Sequence, residues 1–281
     1  MKLLVPLDGS NLSAQVMPWV KLLGDNVELL RTYIPVEELH LVQGLPMTIS
    51  DLVNEQKPDD MIVDYLKTQA ALLPNKQVTV ECAVGHPADI IMDRARSFDA
   101  VVMASHGSSG LERWLLGSVT TKVVRGCTTP VLVVSARAHP SPPKPAKVET
   151  LFVPLDGSPT SEVALKEAKR LALRFGAKIV LYEGVVYRAD TDDADDWQTL
   201  LAKEYLAEVA QKMSGFEVET VVLESSKGPD IVEQARRHGA DLIVMGSHGR
   251  GGIARWVLGS VTESVVQRAD CPVLVVYDRH H

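Results

Sequence analysis

The 281-residue chain lacks the hallmarks of several protein classes. No continuous apolar run approaches the roughly 18 residues of a membrane span, so no membrane association is expected. No cluster of lysine and arginine is present and the net charge is −7, so we expect no nucleic-acid partner. Residues 1–10 are interrupted by Pro6 and Asp8, which favours a first strand over a signal peptide.

Cysteine is scarce as well. Cys82, Cys127 and Cys271 are odd in number and form no CxxC pair, so the simplest interpretation is reduced thiols in the cytoplasm.

The chain is a tandem repeat. VPLDGS occurs at 5–10 and again at 153–158, and SHGSSGLERWLLGSVT from Ser105 aligns without gaps with SHGRGGIARWVLGSVT from Ser247. Both copies close with PVLVV. Repetition of several segments in the same order predicts two copies of one domain.

The repeat sets the predicted domain boundaries. The first domain spans 1–137 and the second 148–281, and between them lies the linker AHPSPPKPAK at 138–147. Its prolines favour an extended, semi-rigid spacer. Asp8 and Asp156 of the two VPLDGS segments are 148 residues apart, whereas the two GSVT segments are 142 residues apart. Between these two motifs the first copy therefore holds six more residues than the second, and we place them within 34–60.

Short apolar, β-rich runs alternate with helical patterns in each copy. In the second copy the predicted strands are LFVPL, KIVLYEG, FEVETVVL, DLIVMG and PVLVV, and a helix begins at Ser158 and Pro159. This alternation predicts an α/β fold of two tandem, doubly wound (Rossmann-like) domains, each a five-stranded parallel sheet flanked by helices. Ligands of such sheets bind beyond the carboxyl ends of the strands.

A glycine-rich segment follows the fourth strand of the second copy. Gly246, Gly249 and Gly259 allow main-chain amides to approach an anion, and the helix that begins near Ser260 adds free N–H groups. Alternatively, Ser260 and Glu263 form a capping box, in which Ser260 has only a structural role. The residue types alone leave both interpretations open.

The spacing of Gly246, two residues, Gly249, nine residues and Gly259–Ser260 resembles the ATP loop of the universal stress protein family. The resemblance includes VPLDGS, the loop, GSVT and PVLVV, and it covers both copies outside the linker. It implies a stress-response regulator that binds ATP with Mg²⁺, an unknown regulatory protein partner and a homodimer of the tandem chain.

The resemblance also implies the binding residues. In the second copy the glycines and Ser260 would hold the triphosphate, flanked by Met245 and Val261, while Asp156 would face ribose and a main-chain contact near Glu183 would reach adenine. The full set is Pro154, Leu155, Asp156, Glu183, Met245, Gly246, Gly249, Gly259, Ser260 and Val261 in the second copy, and Pro6, Leu7, Asp8, Met103, Gly107, Gly117, Ser118 and Val119 in the first.

The first copy departs from the pattern at Ala104, which replaces the first loop glycine. Alanine costs little where φ is negative, but it weakens binding where φ is positive or where its methyl group meets a phosphate. We therefore expect the second site to bind nucleotide more tightly.

Efficient catalysis is not expected, and the upper limit is a very slow ATPase. His106 and His248 lack a partnered carboxylate or cysteine at a readable spacing, which favours a loop-shaping role over general acid catalysis. No GxxxxGK[ST] segment exists, which argues against a P-loop kinase or ATPase. The alternatives are a nucleotidyl-transferase of the related fold, although both SHG segments lack a second histidine, and a nucleotide-free structural module.

Overall fold

The computed structural model describes residues 1–33, 58–105, 116–135, 147–186, 194–225, 230–249 and 258–278. Contacts divide the chain into two compact units, Met1–Thr129 and Pro130–His281. The predicted linker, apart from Lys147, lies outside the described residues. The predicted domain boundaries therefore stay predictions.

Unit 1 is a parallel sheet with strand order β3-β2-β1-β4. Leu3, Leu4 and Val5 of the central strand have no exposed surface, as expected for a strand covered on both faces. The elements in chain order are β1 (Lys2–Pro6), α1 (Asn11–Ala14), α2 (Met17–Leu23), β2 (Asn26–Tyr33), α3 (Pro58–Ala70), β3 (Gln77–Val84), α4 (Pro87–Ala95), β4 (Ala100–Ala104) and α5 (Ser118–Gly126).

Unit 2 has strand order β5-β10-β9-β6-β7-β8. All neighbouring strands are parallel except β5 and β10, which pair antiparallel with Leu132 opposite its repeat equivalent Leu274. The elements are β5 (Val131–Val134), β6 (Thr150–Pro154), α6 (Pro159–Phe175), β7 (Lys178–Val186), α7 (Ala194–Gln211), β8 (Val218–Ser225), α8 (Ile231–Arg237), β9 (Leu242–Gly246), α9 (Ser260–Arg268) and β10 (Val273–Val276).

The predicted fold class is confirmed: mostly parallel sheet strands alternate with helices in two tandem copies. The Ser158 side chain accepts a hydrogen bond from the Ser161 N–H at the start of α6, and Pro159 occupies the first turn, as predicted. Ala164, Ala168 and Leu171 of α6 are buried.

The two copies differ in the helix after their first strand. In unit 2 this is the 17-residue α6, whereas in unit 1 it is divided into α1, with four residues, and α2, with seven. Pro18 lies in the first turn of α2. Because proline lacks an N–H and clashes with the preceding turn of a continuous helix, Pro18 accounts for the break.

Candidate functional site

Each first strand leads into the same aspartate turn. The Asp8 Oδ1 accepts hydrogen bonds from the Ser10 N–H at 3.0 Å and the Ser10 hydroxyl at 2.6 Å. Asp156 and Ser158 repeat this arrangement with the same two distances. The glycine between them is left-handed in both copies, with φ of 83° at Gly9 and 77° at Gly157. The turn therefore fixes each aspartate at the carboxyl end of its sheet.

The helix after the fourth strand is fixed beside that strand in both units. In unit 1 the Thr120 hydroxyl donates to the Ala104 carbonyl at 2.9 Å, and the Gly117 N–H donates to the Ser105 carbonyl at 2.8 Å. In unit 2 the Thr262 hydroxyl donates to the Gly246 carbonyl at 3.0 Å, and the Gly259 N–H bonds Ser247 at 2.9 Å. The starts of α5 and α9 thus lie at the strand ends.

The capping-box alternative for Ser260 is wrong. Gly259 is the N-cap of α9, and no side-chain cap is seen at this helix start within the described part of the chain. The helix begins one residue earlier than the box requires, because Glu263 N–H already bonds the Gly259 carbonyl at 2.9 Å. Unit 1 repeats this with Gly117 as N-cap. The first-turn N–H groups, which have no partner within a helix, can therefore meet an anion.

A cavity of about 300 Å³ opens at this end of unit 1, within the size range of small-molecule pockets. Predicted residues that line it are Pro6, Leu7, Asp8, Met103, Gly117, Ser118 and Val119. The predicted Gly107 lies outside the described residues. Lining residues absent from the predicted set are Ser13, Leu30, Arg31, Thr32, Pro87, Ile91, Ala104 and Thr120.

The predicted residues of unit 2 lie on the equivalent elements. Pro154 ends β6, Met245 and Gly246 end β9, and Ser260 and Val261 begin α9. A side chain at Gly249 would collide with the Asp156 carboxylate, so the start of the glycine loop lies against this aspartate.

The structure gives Gly246 a packing role. Its φ lies outside the left-handed region, and an added Cβ would collide with the main-chain oxygen of Thr160 in the first turn of α6. One of the two predicted reasons for a cost of alanine at this position was a positive φ, and the structure does not show one. In unit 1 the equivalent Ala104 lines the cavity.

The two units differ in charge where the second strand passes the aspartate turn. Leu7 N–H bonds the Leu30 carbonyl at 2.9 Å, and Leu155 N–H bonds the Tyr182 carbonyl at 2.8 Å. The next residues, Arg31 and Glu183, are therefore structural equivalents.

Arg31 was not predicted from the sequence. Alignment of the second strands of the two copies, NVELLRTY and KIVLYEGV, would have revealed it. Glu183 lies inside β7, which continues to Val186.

Carboxylates surround the site of unit 2. The Tyr205 hydroxyl donates to Glu162 Oε1 at 3.0 Å. Burial, followed by the hydrogen bond to Glu162 and the charges of Glu162, Glu183 and Asp156, raises the pKa of Tyr205. Three carboxylates thus act on one phenol at this edge.

The equivalent edge of unit 1 carries one negative and one positive side chain, Asp8 and Arg31. Burial raises the pKa of Tyr65, the Asp8 charge adds to this increase, and the Arg31 charge opposes it. Ala14 occupies the position of Glu162, since Ser13 and Ser161 bond back to Ser10 and Ser158 at 2.9 and 2.8 Å. Formal charges are therefore −3 in unit 2, from Asp156, Glu162 and Glu183, and zero in unit 1, from Asp8 and Arg31.

His248 has the features of a loop-shaping residue. Its Nδ1 lies 3.0 Å from the Ser247 hydroxyl oxygen, and its buried Nε2 has no hydrogen-bond partner among the residues described. Burial lowers the pKa of His248, so the ring is neutral at pH 7. His106 lies outside the described residues.

The residues of the described ranges contain no group of three or more His, Cys, Asp or Glu side chains that could hold a metal ion. Nor do they contain a helix that is long and apolar enough to cross a membrane.

Comparison with known proteins gives a consistent picture. The model of the universal stress protein family matches residues 1–135 and 147–277. A universal stress protein of Mycolicibacterium smegmatis is 32% identical over 202 residues, which is 68% of this chain and 66% of the relative, so the match spans just under two thirds of that relative's length.

Solved structures match as well. A universal stress protein from Archaeoglobus fulgidus DSM 4304 superposes over 98% of this chain and 96% of its own, with a TM-score of 0.70 and 22% identity. A universal stress protein in complex with cAMP covers 46% of this chain and 97% of its own at 25% identity, with a TM-score of 0.37.

Proposed function

The chain belongs to the universal stress protein family, and on that premise we propose that it is an ATP-binding regulatory protein of the stress response. Main-chain N–H groups at the starts of α5 and α9 hold the phosphates. Nucleotide occupancy sets the conformation that a protein partner recognises, and efficient catalysis is not part of this function.

The observation that supports this proposal is the pair of helix starts that have no side-chain cap among the described residues. Gly117 and Gly259 leave first-turn N–H groups at the ends of the fourth strands of their units. A helix N-terminus carries a partial positive charge of roughly half a unit and attracts phosphate. Since the whole chain has a charge of −7, attraction of a triphosphate must be local.

The remaining parts of the ligand fit the same edge. Asp8 and Asp156 would accept hydrogen bonds from ribose hydroxyls, and the second strand of each unit lies beside the first strand that leads into this aspartate. Mg²⁺ commonly binds through phosphates and only one or two carboxylates. Mg²⁺ bound to the phosphates would neutralise part of the triphosphate charge.

The test uses a carboxylate at the first helical residue. We expect Ser260→Asp to stabilise α9 slightly, by roughly 0.3–1 kcal/mol, because acidic residues favour helix N-termini. The same carboxylate repels the phosphates, so calorimetry should show at least a tenfold loss of ATP affinity in unit 2. Ser260→Asn has the same shape without the charge and is the matched control. Ser118→Asp and Ser118→Asn form the corresponding pair in unit 1.

Each outcome has a defined meaning. Unchanged ATP affinity in a folded Ser260→Asp, Ser118→Asp double variant would contradict phosphate binding at these helix starts. Protein that neither copurifies with nucleotide nor binds added ATP would be a nucleotide-free structural module. Rapid ATP turnover with a small-molecule acceptor would indicate a nucleotidyl-transferase instead.

We also propose a cytoplasmic, homodimeric protein. The described cysteines are all free thiols, and burial raises the pKa of Cys271 to about 12, so its thiolate is disfavoured. Such thiols suit a reducing compartment. The homodimer follows from the family resemblance alone, and sedimentation of the full chain tests it.

A further inference from the structure

We propose that Arg31 is a specificity-determining residue that makes the unit 1 site select nucleotides with a phosphate on the ribose. The equivalent Glu183 makes unit 2 select nucleotides with free ribose hydroxyls. The inference rests on the proposed nucleotide binding and adds a difference in ligand between the two units.

The position of Arg31 is the first argument. Its side chain lines the cavity of unit 1. A Cβ on Gly9 would collide with Arg31 Nη1 and lie 3.4 Å from Arg31 Cζ, so the guanidinium lies over the turn that holds Asp8. The cation is therefore next to the residue proposed to bind ribose.

The Arg31 guanidinium makes no hydrogen bond and no ion pair within the described part of the chain, whereas the main chain of Arg31 belongs to the β2–β3 ladder. Arg94 in the same unit, by contrast, bonds both Glu28 and Glu81 at 2.9 Å. A partly buried guanidinium has five N–H donors to satisfy, and its planar fork matches a phosphate in bidentate geometry.

An arginine in unit 1 replaces a glutamate in unit 2, and these two side chains recognise different groups on a ribose. In doubly wound dinucleotide-binding folds, an acidic residue near the end of the second strand accepts from the ribose 2′-hydroxyl, whereas an arginine there accommodates a 2′-phosphate. Glu183 and Arg31 show this same exchange of an acidic residue for an arginine, at equivalent positions of the second strands of the two units. Two further carboxylates, Asp156 and Glu162, would also repel a ribose phosphate in unit 2.

The test compares nucleotides that differ only in the ribose phosphate. Adenosine 2′,5′-bisphosphate, adenosine 3′,5′-bisphosphate and AMP are titrated into the full chain, and hydrogen–deuterium exchange assigns each binding event to 8–13 and 117–124 or to 156–161 and 259–266. We expect one bisphosphate to bind unit 1 at least tenfold more tightly than AMP, and unit 2 to prefer AMP.

Variants then test the role of Arg31. Arg31→Gln should abolish the bisphosphate preference of unit 1, and Arg31→Glu should reverse it. Arg31→Lys keeps the charge without the bidentate fork and should retain part of the preference. Lys21→Glu makes the same change of charge at an exposed position in the last turn of α2 and should leave the preference intact.

The outcomes separate the two proposals. If ATP binds but unit 1 shows no preference for either bisphosphate, or if the preference survives in Arg31→Gln, the inference about Arg31 is overturned and nucleotide binding stands. An Arg31-dependent preference for GMP over AMP, with no effect of ribose phosphate, overturns it in favour of base recognition. Failure of every nucleotide to bind either unit overturns the proposed function as well.

Discussion

The sites of the two units share a main-chain frame but differ in the side chains around it. The aspartate turn, the threonine bond to the strand end and the uncapped glycine recur with distances that agree within about 0.1 Å. The side chains do not recur: Arg31 replaces Glu183, Ala14 replaces Glu162 and Ala104 replaces Gly246. The proposed phosphate-binding geometry is therefore the same in both copies, whereas the side chains that would select the ligand differ.

The packing at the end of the fourth strand gives the largest predicted difference. Gly246→Ala places a methyl group against the Thr160 carbonyl oxygen, so one of the two main-chain segments must shift. We expect the free energy of unfolding of unit 2 to fall by about 1–3 kcal/mol, which is typical of overpacking. Urea denaturation with unit-resolved hydrogen exchange measures this change.

Ala104→Gly is the matched control for Gly246→Ala. It removes a methyl group that already fits, so unit 1 should lose only the roughly 0.5–1 kcal/mol attributed to glycine in a strand. A Gly246→Ala protein as stable as the wild type would show that α6 moves freely, and the packing explanation for Gly246 would then be wrong.

The two units also differ in the number of carboxylates beside the proposed triphosphate site. Glu162→Gln preserves a hydrogen-bond acceptor for Tyr205 and removes one negative charge beside the proposed triphosphate site. We expect ATP affinity of unit 2 without Mg²⁺ to rise about fivefold, which corresponds to about 1 kcal/mol. The increase should shrink when Mg²⁺ is added, since the metal ion reduces the charge of the ligand. Calorimetry with EDTA and with Mg²⁺ measures both values.

The reciprocal change is Ala14→Glu, which adds the missing carboxylate to unit 1. It should lower Mg²⁺-free ATP affinity there by a similar factor. Equal Mg²⁺-free ATP affinities of the wild type and of each variant would mean that the carboxylate at this position does not interact with the ligand.

Local patterns in the sequence were sufficient to predict the architecture. The runs LFVPL and DLIVMG became β6 and β9 almost residue for residue, because a strand buried on both faces must be apolar throughout. Ser158 followed by Pro159 marked the start of α6, since both residues act through local geometry.

The features that were missed depend on contacts distant in sequence. The capping box at Ser260 failed because Gly259 bonds Ser247 and Thr262 bonds Gly246, which fixes where the helix begins. Strand register showed that Arg31 is equivalent to Glu183, because the two copies differ in length between the aspartate and this position.

The extra residues of the first copy also needed strand register for their interpretation. Asp8 and Arg31 are 23 residues apart, whereas Asp156 and Glu183 are 27 apart, so the first copy is shorter before this point. From Arg31 to Gly117 it is longer, at 86 residues against 76 from Glu183 to Gly259. The predicted excess of six is thus the net of a deletion of four and an insertion of ten.

The smallest predicted effect is a pH dependence at His248. Burial lowers the pKa of this residue in the folded protein below the ordinary value of 6.5. As pH falls, His248 therefore takes up a proton in the unfolded chain before it does so in the folded protein. The contribution of neutral His248 to the free energy of unfolding is complete above pH 6.5 and is lost as pH drops through the folded pKa. Urea unfolding of wild type and His248→Asn between pH 7.5 and 5 should give a steeper acid loss in the wild type. If the buried Nε2 faces the phosphates, ATP should favour the protonated ring and reduce that slope. Identical slopes for both proteins would show that His248 titrates as it does in the unfolded chain.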